Sequence, residues 1–278
     1  MTSKVRIGTS GFGIGRAKYV QQFSCVEVQH TFYQPPKIST LERWRADAPP
    51  DFEFVLKAWQ LITHDAKSPT YRRLKKKLSE PEKQEAGYFR PTSIVKEAWE
   101  VTLACSRALQ ARTILFQCPA SFKQTKENIS NLEQFFGNIN RGGSGPSPQG
   151  GRGFDRRAND EQLNFAWEPR GDWDGKVVKR ICDDLNLWHT VDPFTSKSVT
   201  PDKLYFRLHG RNGWRYEYEE DELRELALML PKLESSAQVP TRLAKNMNVS
   251  SSQTPYVFFN NVRMTQDALR FQTITRET

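Results

Sequence analysis

Short runs of β-branched and aromatic residues recur along the whole chain, separated by stretches in which apolar residues recur at helical spacing. Such runs, when they are bounded by Gly, Pro, Asn or Asp, are typical of β-strands. The pattern predicts eight strands: Val5–Gly8, Cys25–Gln29, Phe52–Ala58, Thr113–Gln117, Asn164–Glu168, Trp188–Val191, Leu204–Leu208 and Tyr256–Phe259.

The stretches between these runs predict amphipathic helices, among them Ser39–Ala48, Thr92–Leu109, Asn128–Phe136, Lys176–Leu185 and Asp221–Leu230. Strands that alternate with helices indicate βαβ units and a parallel sheet, and eight such units form a barrel. We therefore predict an α/β fold, a (β/α)₈ TIM-like barrel that forms one domain over residues 1–278.

The composition indicates the class of protein and its cellular compartment. Aromatic residues make up 12% of the 278 residues, which is ample for a core, and no apolar run approaches the roughly 20 residues that span a bilayer. Residues 1–4 lead directly into the first predicted strand without a signal-peptide core. We expect a soluble, cytoplasmic protein that binds no membrane, with Cys25, Cys105, Cys118 and Cys182 as buried free thiols.

Three segments interrupt the alternation. Residues of about 137–162 and 235–254 are rich in Gly, Ser, Asn and Gln, and we interpret them as flexible loops at the amino-terminal end of the barrel. The third is a long insertion after the third strand, from His64 to about Pro91, which leaves a strand and therefore lies at the carboxyl end. This insertion contains the basic residues that we expect to bind nucleic acid, Arg72, Arg73, Lys75, Lys76 and Lys77.

The insertion contains eight Lys or Arg and three Glu between Lys67 and Arg90, and the whole chain has a net charge of +9. Clustered Lys and Arg bind polyanions because they release counterions when they neutralise phosphates. A basic lid over the barrel mouth and a solvated helical face are both compatible with this run.

Polar residues follow almost every predicted strand, at the end where a barrel carries its active site. Read together, the strand ends resemble the YecE-like family, also known as domain of unknown function 72. The matching segments are Ile7-Gly-Thr-Ser-Gly11, Val26-Glu-Val-Gln-His-Thr-Phe-Tyr33, Phe52-Glu-Phe-Val-Leu-Lys-Ala58 with Ile62-Thr-His64, Leu115-Phe-Gln-Cys-Pro119, Phe165-Ala-Trp-Glu-Pro-Arg170, Phe206-Arg-Leu-His-Gly210 and Val257-Phe-Phe-Asn-Asn261.

The resemblance implies a TIM-like barrel with a polar pocket at the carboxyl ends of the strands, and it implies no particular reaction. The chain departs from the family pattern at two strand ends. Gln29 stands where Asn is common, and Gly171 replaces a frequent His after Arg170.

Residues two apart on a strand share a face, so charged residues at the strand ends should meet in one cavity. Glu168 and His209 are candidates for general base and general acid, because burial tunes both residue types towards neutral pKa. The substrate-binding candidates are Glu27, Lys57, His64, Gln117, Arg170, Arg207 and Asn260, of which Lys57, Arg170 and Arg207 would hold an anionic group.

A metal site is the alternative use of the same strand ends. Its ligands would be Glu27, His64, Glu168, Asp192 and His209, but the neighbouring cations lower the affinity for a divalent ion. We predict no cofactor, and a divalent metal stays an alternative.

Aromatic residues near these loops could stack on nucleic-acid bases, and Trp214, flanked by Arg211 and Arg215, is the clearest candidate. Two functions remain after these observations. The first is an enzyme of the hydrolase type, similar to a nuclease or phosphodiesterase, that uses acid–base or phosphoryl-ester chemistry on an anionic substrate such as one derived from nucleic acid. The second is a non-catalytic module that binds single-stranded nucleic acid through Trp214 and the basic insertion.

Overall fold

Eight parallel strands form the centre of the computed structural model, which describes residues 5–140, 163–231 and 253–277. The strands are β1 Arg6–Thr9, β2 Cys25–Val28, β3 Glu53–Lys57, β4 Thr113–Gln117, β5 Asn164–Glu168, β6 Trp188–Val191, β7 Tyr205–Leu208 and β8 Tyr256–Phe259. The helices are α1 Arg16–Gln22, α2 His30–Tyr33, α3 Ile38–Ala46, α4 Gln60–Thr63, α5 Glu80–Glu85, α6 Ser93–Leu109, α7 Lys126–Asn140, α8 Gly175–Leu185, α9 Glu220–Leu228 and α10 Met264–Glu277, with a 3₁₀ helix at Pro69–Arg73.

The strands are hydrogen-bonded in the order β1-β8-β7-β6-β5-β4-β3-β2. The two ends of this sheet meet where Ser10, just after β1, bridges Glu27 of β2, and the Gly11 amide donates to the Glu27 carbonyl at 2.8 Å. This contact completes the (β/α)₈ barrel that the alternation of strands and helices predicts.

The barrel interior is layered because alternate residues of each strand point inward. The lower layer is apolar and aromatic, and consists of Cys25, Val55, Leu115, Ala166, Trp188, Tyr205, Tyr256 and Phe258. Two residues further along the strands the inward positions become polar, at Glu27, Lys57, Gln117, Glu168, Thr190 and Arg207. The polar layer therefore rests on a packed floor and lies at the carboxyl ends of the strands.

The outward faces of the strands pack against the amphipathic helices and form the larger core. Helix α6 shows how this packing arises, since Ile94, Val95, Ala98 and Trp99 recur at helical spacing and are all buried. The helix ends at Gln110, which adopts the left-handed conformation.

The sequence-based strand bounds are confirmed at β4, β5, β6 and β8 and are displaced by one residue at one or both ends of the other strands. The four cysteines are buried free thiols. None of the helices within the described ranges is long and apolar enough to cross a membrane.

The predicted loop of about 137–162 begins too early. Residues 137–140 complete helix α7, because Ile139 packs on the core and the Asn140 amide donates to the Leu185 carbonyl at 3.0 Å. Residues 141–162, like residues 235–252 of the second predicted loop, lie outside the described residues.

Barrel closure gives a test of the fold. A Cβ atom on Gly8 would lie 2.5 Å from the Cys25 carbonyl oxygen, whereas one on Gly15 would meet no described atom within 4 Å. We expect Gly8→Ala to lower the free energy of unfolding by about 1–3 kcal/mol, because backbone must move to admit the methyl group. Gly15→Ala should change it by less than about 0.5 kcal/mol. Urea denaturation measures both, and equal stability of the two variants would contradict a tight contact of β1 with β2.

Candidate functional site

A buried ion pair lies at the centre of the polar layer. Arg207 is 1% exposed and Glu27 is fully buried, and they bind in a bidentate manner, Nε to Oε2 at 2.9 Å and Nη2 to Oε1 at 2.8 Å. The Tyr205 hydroxyl donates to Oε2 at 2.7 Å and the Ser10 hydroxyl to Oε1 at 2.9 Å, and the Gln29 amide also donates to Oε1. These donors offset the cost of burying the carboxylate.

Glu168 is the second buried carboxylate and is held by three donors. Arg207 Nη1 lies 2.5 Å from its Oε2, while Arg170 Nε and His209 Nε2 lie 3.0 and 3.2 Å from its Oε1. Burial alone would raise the pKa of Glu168, but Arg207 and Arg170, with the hydrogen bond from His209, hold that pKa well below its usual range. The expected tuning of Glu168 towards neutral pKa is therefore wrong, because the arginines stabilise its charge.

His209, just after β7, is held on both sides of its ring. Its Nε2 faces Glu168, and its Nδ1 lies 3.0 Å from the Asn260 amide nitrogen. Arg170 Nη2 also lies 3.0 Å from His209 Nε2, so a carboxylate and a guanidinium share this side of the ring. The His209 amide donates to Asp192 at 2.9 Å, and the side chain is 28% exposed. His209 is therefore an oriented ring that solvent reaches.

Lys57, at the end of β3, is a buried amine with neutral partners. Its Nζ donates to Gln117 Oε1 at 2.7 Å and lies 3.9 Å from the centroid of the Phe32 ring. In the described part of the chain no carboxylate oxygen approaches Nζ within 4 Å. Gln117 Oε1 also lies 3.4 Å from Arg207 Nη1, so this amide connects the amine to the central ion pair.

The surroundings of Lys57 disfavour its charge. Burial and the nearby Arg207 and Arg170 guanidiniums lower its pKa from 10.5 to about 7, although Glu27 and Glu168 oppose the shift. The neutral amine is therefore far more accessible near pH 7 than it is for an exposed lysine.

His64, after helix α4, belongs to the same side of the site. Its ring packs edge-on against Phe32 at 4.8 Å between centroids, and its Nδ1 lies 2.8 Å from the Thr63 hydroxyl. Burial, with Lys57 and Arg170 nearby, lowers the pKa of His64 to about 3, so its ring is neutral. His64 therefore adds a neutral wall and no charge.

The carboxylates of this layer are already occupied. Arg207 holds both Glu27 and Glu168, and Asp192 accepts from the amides of His209 and Phe194. Within residues 5–140, 163–231 and 253–277 no group of three or more His, Cys, Asp or Glu is placed to hold a metal ion.

The basic insertion borders the site. The Arg73 guanidinium lies over the Tyr33 ring at 4.3 Å, and Tyr33 packs on Phe32, the ring that Lys57 contacts. The Lys75 amide donates to Gln34 Oε1 at 3.0 Å. The five cations predicted to bind nucleic acid are all exposed, Arg72, Arg73, Lys75, Lys76 and Lys77.

The helical-face interpretation does not fit Lys75, Lys76 and Lys77, because these residues lie between the 3₁₀ helix and α5. Lys76 is paired with Glu82 at 2.8 Å. Trp214, in the loop after β7, is 60% exposed and the Arg215 guanidinium lies over its ring at 5.5 Å.

Sequence reasoning brought Glu27, Lys57, Gln117, Glu168, Arg170, Arg207, His209 and Asn260 together correctly in space. It missed Tyr205 as a partner of Glu27, although Tyr205 lies two residues before Arg207 on the same strand face. The sequence does not single out Phe32, although its ring contacts the Lys57 amine.

A sequence model described as "Protein of unknown function DUF72" matches residues 15–277. The chain belongs to the DUF72 family. This agrees with the YecE-like resemblance of its strand ends. None of the curated proteins is similar to this DUF72 chain in sequence.

Solved structures agree on the fold. A DUF72 protein of Enterococcus faecalis V583 is 17% identical with a TM-score of 0.66, over 98% of this chain and 95% of that one. A DUF72 protein of Thermotoga maritima MSB8 is 20% identical with a TM-score of 0.62, over 98% and 99% of the two chains. Endonuclease IV of Thermus thermophilus is 10% identical with a TM-score of 0.45, over 98% of each chain, which is too low to indicate a shared function.

The Lys57 environment predicts a stability cost. Because its pKa is about 7 in the folded chain and 10.5 ordinarily, the unfolded chain binds more protons between these values, and the free energy of unfolding should rise with pH. Lys57→Met removes this cost, so we expect it to raise the free energy of unfolding at pH 7 by about 2–4 kcal/mol. Lys75→Met, at an exposed position, is the matched control and should change the free energy of unfolding by less than about 0.5 kcal/mol.

Urea titrations at pH 7 and 9 measure these free energies. A Lys57→Met variant that is less stable than wild type would show that the amine is a structural group.

Proposed function

We propose that the barrel mouth of this DUF72 protein is an enzyme active site that binds an anionic substrate and transfers protons to or from it. Arg170 binds the anion, and Lys57 and His209 transfer the protons. The observation that supports this is the buried Lys57 amine, which has no carboxylate oxygen within 4 Å among the described residues and lies near the partly exposed Arg170 guanidinium.

Two cationic side chains of the site are placed to bind an anion. Arg207 lies between Glu27 and Glu168, whereas Arg170 contacts Glu168 through its Nε, and its Nη2 lies 3.0 Å from His209 Nε2. The Arg170 side chain is 40% exposed, so solvent reaches it. Protonated Lys57 contacts only Gln117 and Phe32 among the described residues, and a carboxylate or phosphoryl group that contacted both Lys57 and Arg170 would pair both cations.

The remaining groups have defined roles in this proposal. Glu168, a permanent carboxylate, orients the His209 ring, and Gln117 and Asn260 hold the substrate by hydrogen bonds. Hydrolysis of a phosphoryl ester, in the manner of a nuclease or phosphodiesterase, is one reaction that an anion-binding arginine and two proton-transfer groups support.

Anion binding tests the proposal. Sulfate and oxalate keep a constant charge between pH 6 and 8, whereas Lys57 loses its proton at about pH 7, so both ions should bind about tenfold more tightly at pH 6 than at pH 8. Arg170→Gln should weaken binding at either pH, and Lys57→Met should reduce the difference between them. Isothermal titration calorimetry measures this, with Arg224→Gln on the outer helix α9 as the control that binds like wild type. Unchanged affinity in Arg170→Gln would rule out this anion site.

A second function, binding of single-stranded nucleic acid, is favoured by one observation. Exposed cations and an aromatic ring adjoin at Arg73 and Tyr33, and Trp214 with Arg215 forms a similar pair after β7. Base stacking beside cations is typical of proteins that bind single strands.

Salt dependence separates this function from general basicity. We expect labelled single-stranded DNA and RNA to bind with a steep salt dependence, and the double variant Lys75→Gln, Lys77→Gln to reduce the slope of log K against log salt by about 1.4. The control removes the same charge from helix α8, as Lys176→Gln with Lys179→Gln, and should leave the slope nearly unchanged. The same samples, with and without divalent ions, are checked for strand cleavage. A slope near zero in wild type would contradict nucleic-acid binding.

A further inference from the structure

We infer that Lys57 is a nucleophile that forms an imine with the carbonyl carbon of an anionic aldehyde or ketone. The inference rests on the proposed function, because it takes the anionic group of the substrate to be bound by Arg170. It goes further in naming the substrate class, a small carbonyl compound with a carboxylate or phosphate group.

The geometry of Lys57 differs from that of a structural lysine. A buried cation with a structural role pairs with a carboxylate. Arg207 does so with both Glu27 and Glu168. Lys57 Nζ instead has one amide oxygen, that of Gln117, and the face of Phe32. Both partners are neutral and fix the direction of the amine without requiring that it keep its charge.

The surroundings also make the amine reactive. A lysine that is desolvated and lies near other cations is a standard way to obtain a neutral, nucleophilic amine at physiological pH. Here Arg207 and Arg170 supply the cations, and burial beside Phe32 supplies the desolvation. The apolar floor below, with Val55 two residues earlier on β3, closes the site on the side away from the mouth.

The reaction balances without another reagent. The lone pair of neutral Nζ attacks the carbonyl carbon, the π electrons move to oxygen, and a proton passes from nitrogen to that oxygen to give a carbinolamine. Loss of the hydroxyl group as water, with one proton taken up by the departing oxygen, leaves a protonated imine, and loss of the remaining N–H proton gives the neutral C=N bond. His209, oriented by Glu168 and partly exposed, is placed in the same layer to supply the first proton and accept the second.

Reductive trapping tests the inference on the wild-type chain. The protein is treated with borohydride, the hydride donor, in the presence of pyruvate or dihydroxyacetone phosphate, and peptide mapping locates the reduced adduct. Methyl pyruvate and dihydroxyacetone are the matched probes, since they keep the carbonyl group and lack the charge. We expect a stoichiometric adduct at Lys57 with the anionic probes and a large loss with the uncharged ones. Exposed Lys75 and Lys77 report non-specific reaction within the same sample.

Variants separate the possible failures. Lys57→Arg keeps a cation and should lose the adduct, and Arg170→Gln should reduce trapping by pyruvate to the level of methyl pyruvate. If sulfate and oxalate bind as the proposed function requires but Lys57 is labelled no more than Lys75 and Lys77, the imine is excluded and the anion site remains. If neither anion binding nor trapping is found, the inference and the proposed function both fail.

Discussion

The polar layer of this barrel depends on the Arg207 guanidinium, which lies between two buried carboxylates on different strands. It holds Glu27 of β2 and Glu168 of β5 while it belongs to β7 itself, so three strands are joined through one planar group. Guanidinium suits this task because its donors match carboxylate geometry and its charge persists at every physiological pH. Without it, the buried Glu27 would lose its guanidinium partner, and Glu168 would keep only the more exposed Arg170.

The same guanidinium determines the character of its neighbours. It keeps Glu168 ionised, which fixes one side of the His209 ring, and it disfavours a charge on Lys57 across the shared Gln117 oxygen. Arg207 thus favours the charged form of Glu168 and the neutral form of Lys57. A separation of this kind between adjacent titratable groups is a common property of active sites.

Much of this arrangement follows from the sequence. Short β-rich runs give the strands, and the two-residue period along a strand places Glu168 with Arg170 and Arg207 with His209 on shared faces. The sequence does not give distances between side chains on different strands, so it could not tell that Arg207 would take both carboxylates. For that reason the direction of the Glu168 pKa was wrong. The two neutral contacts of Lys57 likewise could not be foreseen, because Phe32 and Gln117 lie at the ends of other strands.

The bridge between Ser10 and Glu27 has a consequence for folding. It joins β1 to β2 at the last gap of the sheet, and β1 reaches that position paired with β8 from the other end of the chain. Loop closure over so long a separation is slow, and the bridging residues are themselves members of the charged layer. In an open sheet of this order four strands separate β2 from β7, so Glu27 and Arg207 pair only when the sheet closes. The ion pair at the centre of the site therefore depends on the completion of the barrel.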